Sequence, residues 1–207
     1  MKHKTTQTLF VYWNQVRAGR LAPRRLDIEP SRISAVLPET FMLERGKPSG
    51  FYYRLAGTRV CEMFRTELRG ADFLSGWSAG DRAIVASALR ATCDQGAVTL
   101  LKVEASSDAA HCLELEVIML PLTHTDNVLD RVIGAASPLT SPHWLGYERL
   151  STKRLLHHEL IWPDGRPRAL IDRSAQQAAA RPATLSVRTV KRERRLFRVF
   201  EGGRAKP

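Results

Sequence analysis

The 207-residue sequence holds only three cysteines, Cys61, Cys93 and Cys112, far apart and without a Cys-x-x-Cys pair. That excludes a disulfide framework and a zinc knuckle and is in keeping with a reducing compartment. No run approaches eighteen uninterrupted apolar residues, which argues against a membrane-spanning helix. The start, MKHKTTQTLF, lacks the apolar core and small-residue cleavage site of an export signal, so the expected location is the cytoplasm. Gly-x-Ser-x-Gly, a phosphate-loop lysine motif and Gly-x-Gly-x-x-Gly are all missing. His157-His158-Glu159 invites a zinc-protease reading, but position 162 is Trp where the second ligand would stand. No constellation for catalysis emerges, and the expectation is a protein that is not an enzyme.

Positive charge is what the sequence has in excess. The net charge is +11. From Ser174 to Pro207 nine Lys or Arg face Glu193 and Glu201, a net of +7, which leaves +4 for the preceding residues. The reading is an ordinary globular body, 43% hydrophobic, with a basic appendage. In that appendage Lys191, Arg192, Arg194, Arg195 and Arg198 alternate with Leu196, Phe197 and Phe200. Such interleaving suits nucleic acid, an anionic surface or an acidic protein, and equally a solvated, partly disordered tail.

Periodicity organises the body. Leu9, Trp13 and Val16 predict a helix over Thr8 to Ala18, stopped by Gly19, and Pro30 opens a short helix carrying Ile33, Val36 and Leu37. Thr40 to Glu44 and Phe51 to Leu55 read as a hairpin across GKPSG. Thr58 can cap a helix running from Arg59 to Phe64, with further helical turns expected from Leu68 to Trp77. A longer helix follows over Asp81 to Asp94, with Ile84, Val85, Ala88, Leu89 and Thr92 on one stripe. Val98 to Ala105 and Cys112 to Leu122 alternate as strands around SSDAA, and Val128 to Ala135 supplies another. A hairpin through SSDAA brings Lys102 near Glu114, a pair worth roughly 0.2 to 1 kcal/mol that supports this register over a slipped one. The fold class is α+β: a five-stranded antiparallel sheet with helices on one face, preceded by N-terminal helices. The chain divides into an N-terminal helical segment (1–39), a sheet domain (40–150) and a basic extension (151–207).

Local motifs agree with this order. LFVYWNQVRAGRLAPRRLDIEPSRISAVLPETFMLE, YRLAGTRVCEMFRTELRG, and MLPLTHTDNVLDRVIGAAS with SPHWLGYERL together resemble a family of short bacterial PAS-type proteins, over roughly residues 8–150. The resemblance implies a stand-alone signalling module working through protein contacts, with a cavity between the inner sheet face and the helices joining the second and third strands. On this sequence that cavity would be lined by Leu43, Tyr53, Leu55, Val60, Cys61, Phe64, Phe73, Leu74, Trp77, Leu115 and Val117, and would take a small apolar ligand; the alternative is that all of them are core. Haem is argued against because residues 51–95 hold no His for an axial ligand. Cysteinyl-flavin chemistry is argued against because Cys61 lies in Arg-Val-Cys-Glu rather than Asn-Cys-Arg.

Leu9, Phe10, Tyr12 and Trp13 exceed one buried stripe, and the resemblance suggests that they form a homodimer contact. Arg17, Arg20, Arg24 and Arg25 precede Asp27. A guanidinium-carboxylate lock to the body is one reading of them and an anion site the other. The rival function is nucleic-acid binding through the tail, with the body as its dimerisation unit.

Overall fold

A computed structural model describes residues 1–46, 50–124 and 128–165. The chain starts with helix α1 (Lys4–Arg17), capped by His3, whose ring nitrogen accepts the Thr5 N–H, and ended by Ala18 in the left-handed region at φ 48°. Three short 3-10 turns (Arg25–Asp27, Pro30–Ile33, Leu37–Glu39) lead to strands β1 (Thr40–Gly46) and β2 (Gly50–Ala56). Helices α2 (Thr58–Phe64) and α3 (Ala79–Gln95) follow, then β3 (Val98–Ser107), β4 (Cys112–Leu122), β5 (Arg131–Pro138) and β6 (Leu150–Ile161). The strands form one antiparallel sheet in the order β2-β1-β5-β4-β3-β6.

The sheet has six strands where five were expected. Leu150–Ile161, read from sequence as extension, pairs along the whole of β3. Two bulges hide it: Ser151 and Leu156 have no partner, so side chains on one face fall at Lys153, Leu155 and His158 instead of every second residue. β6 also resolves a charge conflict. Glu104 and Glu114 face each other across β3 and β4, and each is drawn off by a cation, Glu104 by Arg154 of β6 at 2.9 Å and Glu114 by Lys102 at 2.9 Å. The Lys102–Glu114 pairing is the one the sequence anticipated.

Helices cover both faces, not one. β4 is apolar on both sides, as its run Val-Ile-Met-Leu-Pro-Leu records. On the front, Leu115, Val117 and Met119 meet α2 and α3 in a core with Phe41, Leu43, Tyr53 and Phe73. On the back, Ile118, Leu120 and Leu122 meet Leu9, Tyr12 and Trp13 of α1. Leu9, Tyr12 and Trp13 are therefore committed inside the chain, and Trp13 donates its indole N–H to the Pro121 carbonyl at 2.8 Å. This corrects their expected place on a dimer surface; Phe10, half-buried, stacks on Trp13, and Val11 is the large apolar side chain α1 exposes, at 53%. Glu116, on the back face of β4, fastens the start of α1 by accepting the Lys2 and His3 N–H groups and the Thr6 hydroxyl. α3 is tied to the front by a buried Thr92–Thr99 hydroxyl pair at 2.8 Å, while Ile84 turns outward from the stripe assigned to it.

Leu68 to Trp77 is not helical. Gly70 and Gly76 adopt φ of 84° and 76°, and the segment runs as an irregular connector across the front. At one end Gly70 donates to the Tyr53 carbonyl, the Ala71 carbonyl accepts from Tyr53, and Phe73 donates to Phe51, covering the outer edge of β2. At the other end the Gly76 carbonyl accepts the Lys153 N–H at 2.8 Å, covering part of the outer edge of β6. Three residues from Phe73 to Gly76 span at most about 11 Å, so the sheet is curled enough to bring its two edge strands to one short strap.

Candidate ligand cleft on the front face

The side chains expected to line a cavity converge, with one exception, but most of them fill it. Leu43, Tyr53, Val60, Phe73, Leu74, Trp77, Leu115 and Val117 are buried in the front core, with Cys61 and Phe64 half-buried against it. Phe41, Tyr53 and Phe73 pack ring to ring at 5.6–5.7 Å, and Trp77 continues the row 6.5 Å from Phe73. Such rings bury large areas and add edge attractions of about 0.5–1.5 kcal/mol a pair.

Leu55 is the exception. Met42 pairs with Leu55 and Leu43 with Tyr53, which leaves Arg54 as an extra residue in β2. That bulge shifts the alternation by one, so Leu55 emerges on the back beside Met42, 53% exposed.

Open space remains at the rim of the front core. A cleft of about 170 Å³ is bounded by Tyr53, Phe64 and Leu68 on one side and by Leu150, Ser151 and Lys153 of β6 on the other. Lys153 is the cleft residue that sequence reasoning missed, because its strand was unassigned. Its ammonium lies 5.3 Å from the Trp77 ring, 5.6 Å from Phe73 and 5.7 Å from Phe64, and donates to the Phe73 carbonyl at 3.2 Å. Burial pushes its pKa down to about 8, with the Asp72 charge pulling part of the way back. Burial likewise pushes the Tyr53 hydroxyl up, helped by Cys61 and Asp72. The cleft thus offers an apolar wall, a neutral phenol and an ammonium with donors to spare, with Glu67, Asp72 and Arg149 also in its lining.

A broader groove of about 790 Å³ lies where the start of α1 meets α2. Its central acid, Glu39, is already engaged, accepting from Arg59 at 2.9 Å and Ser137 at 2.6 Å. The groove therefore reads as the seam between helix layers. The arginines at and after the end of α1 are divided: Arg20 and Arg24 hold Asp27 at 2.9 and 3.1 Å, and Arg17 reaches Asp164 beyond β6 at 2.9 Å. Of the lock expected between entry helix and body, only the Arg17–Asp164 pair spans a long stretch of chain; the Asp27 pairs stay within the N-terminal segment, and Arg25 takes no part. Lys191, Arg192, Arg194, Arg195 and Arg198 lie outside the described residues. Among the described residues no cluster of three or more His, Cys, Asp or Glu is placed to hold a metal, and no helix is long and apolar enough to cross a membrane.

An antiparallel sheet in this strand order, with short helices and a connector between its second and third strands, defines a PAS-type α+β domain. Residues 1–137 match the PAS domain family, and the chain belongs to it. Its domains serve as sensory and signalling modules. Among curated proteins nothing matches the chain.

Proposed function

We propose that the protein is a non-catalytic signalling module that takes a small, largely apolar ligand in the front cleft and signals through protein contacts. One observation carries the reading: Lys153 presents an under-used ammonium to a cleft walled by Phe64 and Tyr53, at the point where the connector straps β6. At about 170 Å³ the space is below that of drug-sized pockets. The ligand it suits is correspondingly small, with an apolar body and one neutral acceptor for Lys153, since Glu67 and Asp72 in the lining disfavour a carboxylate. Occupancy would press on the connector and so bias its position. Native mass spectrometry of the freshly purified full chain tests this. A bound small molecule present in wild type and lost in Lys153→Met supports the proposal, and a bare chain in both sinks it. The same spectra report whether the chain is a homodimer, for which Val11 and its polar neighbours on α1 are the remaining outward face.

The second reading, nucleic-acid binding, is favoured by the +7 tail. Removing residues 174–207 should then abolish retention on a nucleic-acid column at physiological salt; unchanged retention refutes it.

A further inference from the structure

On the back of the sheet a second cleft, of about 370 Å³, is lined by Arg25, Arg54, Arg69, Arg131 and His124, together with Met42 and Leu55. Five separate segments deliver these four arginines and the histidine, each fixed by the fold. Arg25 is held where its N–H donates to the Thr123 carbonyl at 2.8 Å, and His124 is the next residue along. Arg54 is the bulge residue of β2, Arg69 leads into the connector segment that pairs with that strand, and Arg131 opens β5. Glu44 lies between Arg54 and Arg131, at 3.0 and 2.6 Å, and offsets one charge. Arg131 is itself buried, and its Nη1 approaches Glu44 without hydrogen-bond geometry. Arg25 and Arg69 make no side-chain ion pair among the described residues. Four guanidinium groups against one carboxylate is a repulsive arrangement, and an arriving anion would relieve it.

We propose that this cleft binds a small phosphorylated molecule. Guanidinium groups are planar forks that match phosphoryl oxygens two at a time, and several around one concavity favour a multiply charged group over a single carboxylate. The cations converge on one cleft and do not form a stripe that could track a polymer backbone, which favours a small molecule over nucleic acid. Met42 and Leu55 supply an apolar surface for the organic part. The site stands apart from the front cleft and does not depend on it.

The test is titration calorimetry of the full chain at low salt with pyrophosphate and with ADP. Because the tail is itself basic, two sets of variants are compared: Arg25→Ala with Arg69→Ala, and Lys191, Arg192, Arg194, Arg195 and Arg198 all changed to Ala. Saturable binding of either probe, weakened at least about tenfold by the first set and kept by the second, supports the cleft. ADP binding more tightly than pyrophosphate would assign Met42 and Leu55 to the organic part, and equal affinities would assign recognition to the phosphoryl groups. Arg69→Gln, which keeps most of the side chain, is the second variant should the double change unfold, as judged by thermal melting. No binding of either probe at about 1 mM overturns the proposal. So does undiminished binding in the arginine variants, or capture of an oligonucleotide alone that the tail changes abolish.

Discussion

Replacing Lys153 with methionine removes a cation from the rim of the front core while keeping most of its volume. The ammonium titrates at about 8 in the fold against 10.5 unshifted. At about 1.4 kcal/mol per pKa unit, the charged form is disfavoured in the folded chain by about 3 kcal/mol. The sign follows from proton counts: between these two values the unfolded chain binds more protons, so stability rises with pH there and is flat below pH 8. Going from about pH 7 to about pH 9.5 covers about 2 kcal/mol of that rise. The three rings work the other way by roughly 0.5–1 kcal/mol, leaving a net of about 1–1.5 kcal/mol, or about 2–6 °C in the melting midpoint. Cys93 has the opposite effect. Burial pushes its thiol up to about 12, so above pH 9 the unfolded chain ionises first and stability falls. The diagnostic is therefore the difference between wild type and Lys153→Met in urea denaturation at the two pH values. Lys153→Met should be the more stable protein at neutral pH, with the advantage shrinking by about 1–2 kcal/mol in the alkaline buffer. A difference that stays the same at both pH values would show that the Lys153 ammonium is not desolvated, and the front-cleft argument would fall with it.

The bulge in β2 is tested by a pair of leucines. Leu43→Ala should cost about 2–5 kcal/mol, as a core truncation does, whereas Leu55→Ala should stay within about 0.5 kcal/mol; equal costs in urea denaturation would restore Leu55 to the core. Glu116→Gln should destabilise by about 1–3 kcal/mol, since Lys2, His3 and Thr6 lose a shared charged acceptor, and amide exchange should accelerate first at the start of α1. Burial works to raise the Glu116 carboxyl, but the Thr6 hydroxyl and the His3 and Lys2 N–H groups outweigh it and hold it below the usual carboxylate range. The stability contributed by Glu116 should therefore be present above pH 4.5 and lost on acidification through the lowered pKa. A wild type and a Glu116→Gln variant with parallel acid profiles would refute that account.

What could be read from the sequence depended on whether alternation ran unbroken. β4 was placed at Cys112–Leu122, the bounds it has, because its facing residues alternate cleanly from Leu113 to Met119. β6 and Leu55 were misplaced for one shared reason, an extra residue that resets the period of two, at Ser151 and Leu156 in one strand and Arg54 in the other. The connector reads as helical because Phe73, Leu74 and Trp77 fall at i, i+1 and i+4; Gly70 and Gly76, both at positive φ, break the pattern and are the better signal. Tyr53 and Phe64, two of the residues expected at a cavity, border the cleft at its rim. Lys153 did not stand out, because a lysine in Ser-Thr-Lys-Arg looks solvated until its strand is known to lie over aromatic rings.

The Gly70–Gly76 strap makes an open sheet behave like a closed hoop. Its two outermost strands cannot spread or close without breaking bonds to the same few residues, so a disturbance at either margin bears directly on the other. Strand separation at Tyr53 and at Lys153 thereby becomes one event instead of two.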